Sequence, residues 1–388
     1  MPQAFYNAGL VMGTISTFVI GAICTYCLHI LVQAQYELCK RKHVPVLTYP
    51  ESMKEALEQG PRFLRKFAGI SPAIVDSFMI SYQLGICCVY IVFVATNVKQ
   101  VADFYWVDLD VRVWMLILLG PLILINFVRN LKLLAPFSQL ANIITFVGIG
   151  ITMYYVFTDL PPVSSRDYVG EPRNYVLFVG TTLFALEAVG VIIALENNMQ
   201  TPASFGGYFG VLNKGMTVIV FLYAFVGFFG YVKYGEKSLG SVTLNIPNDE
   251  PLAHSVNIIF AIAIFISYAL QCYVPVEIIW NTYMKQKLEN SNKKLLIEYL
   301  MRTGVVLLTF ILALAIPRLG LFISLFGALC LSTLGITFPA IIDICVWWPD
   351  GLGKYNYILV KDIMLIIFGS LGFLIGTATS IIEIITSF

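Results

Sequence analysis

An all-α polytopic membrane protein is the fold class this sequence predicts, on three observations. Hydrophobic residues fill 58% of the 388 positions and charged residues only 12%, and mean hydropathy is +0.81. Soluble domains carry roughly 45–50% apolar and about 25% charged residues. The apolar residues also fall into separate runs of bilayer length, and Lys and Arg concentrate in alternate connections. A net charge of +1 offers no basic surface for nucleic acid and points to no acidic partner.

A hydrocarbon core needs roughly 20 apolar residues per helix. On that ruler the chain holds about ten spans, at 10–38, 74–98, 113–128, 136–157, 175–195, 215–232, 256–284, 301–316, 321–348 and 358–385. Positive residues stay on the cytoplasmic side. The connection after the first span carries Lys40, Arg41, Lys42, Lys54, Arg62, Arg65 and Lys66, and the one before Met301 carries Lys285, Lys287, Lys293 and Lys294. Both are assigned to the cytosol. The intervening connections agree, since 101–112 is acidic through Asp103, Asp108 and Asp110, and 159–173 is mixed and rich in proline. The first full span therefore enters from outside.

Within the cytosolic connection at 40–69, Thr48-Tyr-Pro-Glu51 has the spacing of a capping box. Met53, Ala56 and Leu57 share a helical face and Gly60 can end the turn. This predicts a short amphipathic helix on the inner membrane surface, with an ordinary solvated connection as the alternative. All eight cysteines, Cys24, Cys27, Cys39, Cys87, Cys88, Cys272, Cys330 and Cys345, lie in or beside apolar runs. No disulfide framework is implied, and Cys24-x-x-Cys27 reads as packing. The first apolar run lacks a basic leader and is too long for a signal-peptide core, so no cleavable signal is expected.

Composition alone does not separate transporters from channels, receptors or membrane enzymes; the polar residues inside the spans do. Intramembrane catalysis needs a cluster of Ser, His or acidic residues, but the chain has only His29, His43 and His254, of which His29 alone lies in a span. The span count does not suit a seven-helix receptor, and no filter-like repeat suggests a channel. What remains are isolated polar residues on several helices: His29, Asp76, Tyr82, Gln83, Glu187, Gln271, Glu277 and Asp343. A transporter with one midplane site distributes its polar groups in this way. Asp76, Glu196 and Glu277 also read as interface residues near span ends, and Gln83 and Gln271 as interhelical hydrogen-bonding residues. Glu187 stands apart. It lies mid-span in Phe184-Ala-Leu-Glu-Ala-Val-Gly190, where a charge costs several kcal/mol unless paired or used, and its small neighbours permit a helix break. His29 is either a titrating group, as imidazoles near neutral pH are, or a packing residue.

At these positions the chain resembles the proton-coupled amino acid transporters, a branch of the amino acid/auxin permeases within the amino acid-polyamine-organocation superfamily, and is most similar to insect members. The resemblance covers nearly the whole chain. It rests on Cys27-Leu-His-Ile-Leu-Val32, Tyr82-Gln-Leu-Gly-Ile-Cys-Cys-Val-Tyr90, Phe184 to Gly190 continuing to Leu195-Glu-Asn197, Gly240-Ser-Val-Thr-Leu-Asn245 and Tyr268-Ala-Leu-Gln271, in the family's order. It implies a single transporter domain over 1–388 with a LeuT-like five-plus-five inverted repeat plus one helix, and substrate held between two broken helices. Only four full spans precede Tyr175, so residues 1–9 correspond to a stub of the first family helix, expected to be poorly anchored, with the inner half and its break truncated.

The resemblance further implies symport of a proton with a small neutral amino acid of the alanine, glycine or proline type, in a plasma, lysosomal or vacuolar membrane, without a cofactor. Phe184, Ala185, Glu187 and Gly190 would bind substrate at the break, Tyr82, Gln83, Tyr268 and Gln271 would line the cavity, and His29 and Glu187 would carry the proton. The alternative is a transport-inactive amino acid sensor that signals through a growth-signalling complex on its cytosolic face.

Overall fold

The computed structural model describes every residue except 106–107, 130, 187–198, 200–203, 208, 248–249, 286–292, 317 and 387–388. Among the described residues there is no strand. The helices are α1 (Pro2–Ala8), α2 (Leu10–Lys42), α3 (Tyr49–Gln59), α4 (Arg62–Arg65), α5 (Ser71–Tyr105), α6 (Val111–Asn126) and α7 (Leu131–Phe157). They continue with α8 (Pro172–Leu186), α9 (Val211–Tyr234), α10 (Pro251–Ile278), α11 (Lys294–Ala315), α12 (Leu319–Phe326), α13 (Phe338–Trp347) and α14 (Tyr357–Thr386). Two π-helical turns, Gly327–Leu331 and Thr333–Thr337, join α12 to α13.

Among the described residues eight helical stretches are long and apolar enough to cross a membrane, and α6 is a shorter apolar helix. Of the ten expected spans, the one at 175–195 is described only as far as Leu186, in α8. Long apolar side chains such as Phe146, Leu124 and Ile385 are exposed. In a bilayer that surface meets acyl chains, so hydropathy rather than an amphipathic stripe defines each helix.

The described residues gather into two compact units, interleaved in sequence. The first consists of Met1–Tyr6, Ile80–Asp167 and Val226–Ile323. Its most extensive helix pair is α7 against α10, and α6 packs on α11. Phe5 is fully buried, with its ring over Gly227, where any side chain would collide with it. The expectation that residues 1–9 are poorly anchored is therefore corrected: Ala4, Phe5 and Ala8 are core residues. His254 is also relocated, because α10 begins at Pro251 and places this histidine, 3% exposed, inside a membrane-length helix.

The second unit consists of Asn7–Met79, Tyr168–Phe225 and Ser324–Phe388. Here Gly9, at φ +83°, breaks the chain between α1 and α2, a left-handed conformation that L side chains resist. The break is held by Gly170 N–H donating to the Ala8 carbonyl at 2.8 Å and by Val11 N–H donating to the Tyr168 carbonyl at 3.0 Å. The capping box is present, with Thr48 and Glu51 bonded reciprocally, and Gly60 ends α3. The apolar face of α3 is covered by protein. It packs on α13, burying Tyr49, Met53, Ala56 and Leu57, and the Tyr49 hydroxyl donates to the Leu334 carbonyl at 2.6 Å.

Candidate functional site

Three helices and the start of a fourth enclose a cavity of about 490 Å³ in the second unit. Helix α2 contributes Tyr26, His29 and Gln33, which share one face because they are three and four residues apart. The same spacing places Asp343 and Trp347 of α13, and Tyr357 and Lys361 of α14, on its wall. Asn213, near the start of α9, completes the polar lining. A neighbouring cavity of about 410 Å³ shares Tyr26, His29 and Asn213.

His29 Nε2 lies 2.8 Å from Asn213 Oδ1. The Asn213 amide nitrogen donates to the Gly207 carbonyl at 3.0 Å, which leaves Oδ1 as the acceptor facing the imidazole. That puts a hydrogen on Nε2. The proton position of His29 is thus set by a side chain from a different helix.

A charge network adjoins the same cavity. Lys361 Nζ is 2.9 Å from Asp343 Oδ2 and 3.2 Å from Asp362 Oδ1. It also lies over the rings of Tyr26, at 5.0 Å, and Tyr357, at 5.7 Å, where the π faces attract a cation. Asp343 and Asp362 are buried. Among the described residues neither oxygen of Asp362 accepts a hydrogen bond, and Lys361 reaches it as an ion pair.

The other expected site residues lie elsewhere. Phe184 and Ala185 are half-buried and helical in α8, so no break falls at these two residues. Glu187 and Gly190 fall outside the described residues. Helix α8 meets the first π turn through Gly180 and Gly327, where a Cβ on either would strike the other helix's backbone. Tyr82, Gln83, Tyr268 and Gln271 belong to the first unit. Tyr268 is 1% exposed, and its hydroxyl pairs with Thr309 Oγ1 at 2.8 Å. Gln83 is buried, and among the described residues its Oε1 has no hydrogen-bond partner. The His29 cavity contains none of these residues. Among the described residues no group of three His, Cys, Asp or Glu side chains could hold a metal ion.

The residue pattern of the family described as "Transmembrane amino acid transporter protein" matches residues 1–382. The chain belongs to this amino acid transporter family. Over its full length it is 40% identical to 82% of a Drosophila melanogaster protein named "Proton-coupled amino acid transporter-like protein pathetic". It is also 26% identical to 86% of a Caenorhabditis elegans protein named "Probable amino acid transporter skat-1".

For a transporter of this family, the sequence reading missed Tyr26, Asn213, Lys361 and Asp362. The available signal was the Lys361-Asp362 doublet, an adjacent opposite-charge pair inside the apolar 358–385 run. Such residues face the bundle interior and pair with one another, and Asp343, already singled out, is the partner that the doublet required.

Proposed function

We propose that this amino acid transporter moves a small neutral amino acid, of the alanine, glycine or proline type, together with a proton, across a plasma or lysosomal membrane. The observation that supports the reading most is the His29 cavity, which is lined by an imidazole, the Asp343 carboxylate and the Lys361 ammonium, with the Asp362 carboxylate buried behind the ammonium, all at helix positions within the membrane-length stretches. Ionisable groups kept there are expensive, and proton pathways are a reason to keep them. The name of the Drosophila relative points the same way.

The amino acid would bind at the helix break that the family resemblance implies within Phe184 to Gly190, where freed carbonyls would hold the ammonium and Glu187 would add charge. Phe184 and Ala185 would shape its apolar wall. Vesicles containing the purified chain should accumulate alanine, glycine or proline when the outside is acidified, and a protonophore should abolish the accumulation. Glu187→Gln should remove it as well. Uptake that is the same with and without the gradient would overturn the coupled reading.

A further inference from the structure

We propose that the Asp343–Lys361–Asp362 cluster is a binding site for the coupling proton, an inference that rests on the proton-coupled reading above. Two carboxylates face one ammonium, so with every group ionised the cluster carries one uncompensated negative charge inside membrane-length helices. An unneutralised charge in a buried place is strongly unfavourable. Asp362 is 0% exposed, and among the described residues its oxygens accept no hydrogen bond. The Asp343 carboxylate shares the same Lys361 ammonium. An acceptor opposite an acceptor repels until one of them carries a proton, which then bridges the two.

The titratable groups around the cluster do not remove the excess charge. Tyr26 and Tyr357 present their rings to Lys361. Cys24 and Cys27 of α2 lie nearby, and none of these four supplies positive charge. His29 is bonded to Asn213. A metal cation would have to sit beside the Lys361 ammonium and be repelled by it, whereas a proton attaches directly to a carboxylate oxygen. The cluster joins α13 to α14. Binding a proton there turns a repulsive contact between these helices into a hydrogen bond, and releasing it restores the repulsion.

Two readouts on the full chain in vesicles test the site. Infrared pH titration should show a protonated carboxyl band in the wild type that is lost in Asp362→Asn, lost in Asp343→Asn, and restored in Asp362→Glu. A band unchanged in both Asn variants overturns the proposal. In transport, the gain in uptake produced by an acid exterior should collapse in Asp362→Asn to the value without a gradient. Persistence of that gain overturns the proposal, as does a response to replacing sodium with choline that disappears with Asp362. If the wild type shows no gradient-driven uptake, the coupled reading fails while the infrared result still decides whether the site binds a proton.

Discussion

Glu298 in the first unit and Lys361 in the second are the centres of two charge clusters of opposite composition. Glu298 is held by two guanidiniums, Arg129 at 2.8 Å and Arg302 at 3.1 Å. Arg302 also donates to the Asn126 carbonyl at 3.2 Å and lies 5.8 Å from the Tyr273 ring. Lys361 is held by two carboxylates. The first cluster has surplus positive charge on groups that do not lose their protons in proteins. The second has surplus negative charge on groups that can gain one. The same three-charge geometry thus makes a fixed clamp between α6 and α11 in one unit and a titratable joint between α13 and α14 in the other.

Removing the central residue of the clamp should have the largest effect. Glu298→Gln leaves the buried Arg302 without its counter-charge, and breaking a buried pair in this way costs roughly 3–5 kcal/mol. The thermal unfolding midpoint in detergent should fall strongly, and by the same amount across the pH range in which the wild-type carboxylate is ionised, since a guanidinium cannot neutralise itself. A midpoint close to wild type would show that the cluster is not a clamp.

Lys361→Met makes the equivalent cut in the other cluster, and its consequence should depend on pH. Two buried carboxylates lose their cation, a loss of about 1–3 kcal/mol near neutrality. Protonation relieves it, because a buried charge without a partner neutralises rather than persists. The deficit relative to wild type should therefore shrink as pH falls. A pH-independent deficit would make the two clusters alike and remove the contrast.

Much of this was legible in the sequence, and the reasons divide along physical lines. Spans such as 74–98 and 358–385 announce themselves because burial in lipid demands a continuous apolar run. Thr48 and Glu51 were readable because a capping box is local, complete within four residues. Pairings across distance were not. Asp343 and Lys361 are 18 residues apart, and hydropathy averaging over that interval treats each charge as a tolerated exception. The π turns at Gly327–Leu331 and Thr333–Thr337 carry no residue signature that distinguishes them from α-helix. Packing of α3 on α13 was equally invisible, since an apolar face looks the same whether lipid or protein covers it.

The aromatic faces give a smaller test. Tyr26→Leu removes the ring 5.0 Å from Lys361, and Tyr273→Leu removes the one 5.8 Å from Arg302. Each contact contributes roughly 0.5–2 kcal/mol. If the lysine cluster shares a proton, the Tyr26 effect should weaken when Asp362→Asn is introduced, because the lysine then has a single carboxylate and is held more tightly by it. The Tyr273 effect should not change in that background. A double-mutant cycle in detergent measures both, and equal coupling in the two cases would contradict the separation of the clusters.

Asp362→Asn should have the smallest effect on stability, and its small size is the informative part. In an ordinary ion pair, replacing one buried carboxylate strands its cation and destabilises the fold strongly. Lys361 is not stranded here, because Asp343 remains at 2.9 Å, and the asparagine removes the uncompensated charge while nearly preserving shape. The unfolding midpoint at neutral pH should stay within about 1 kcal/mol of wild type, the scale of a single hydrogen bond, or rise. Near-native stability combined with loss of the acid-driven gain in uptake identifies Asp362 as a proton site rather than a structural support. A loss of stability as large as that expected for Glu298→Gln would instead show that Asp362 is an indispensable partner of Lys361, and the two clusters would then both be clamps.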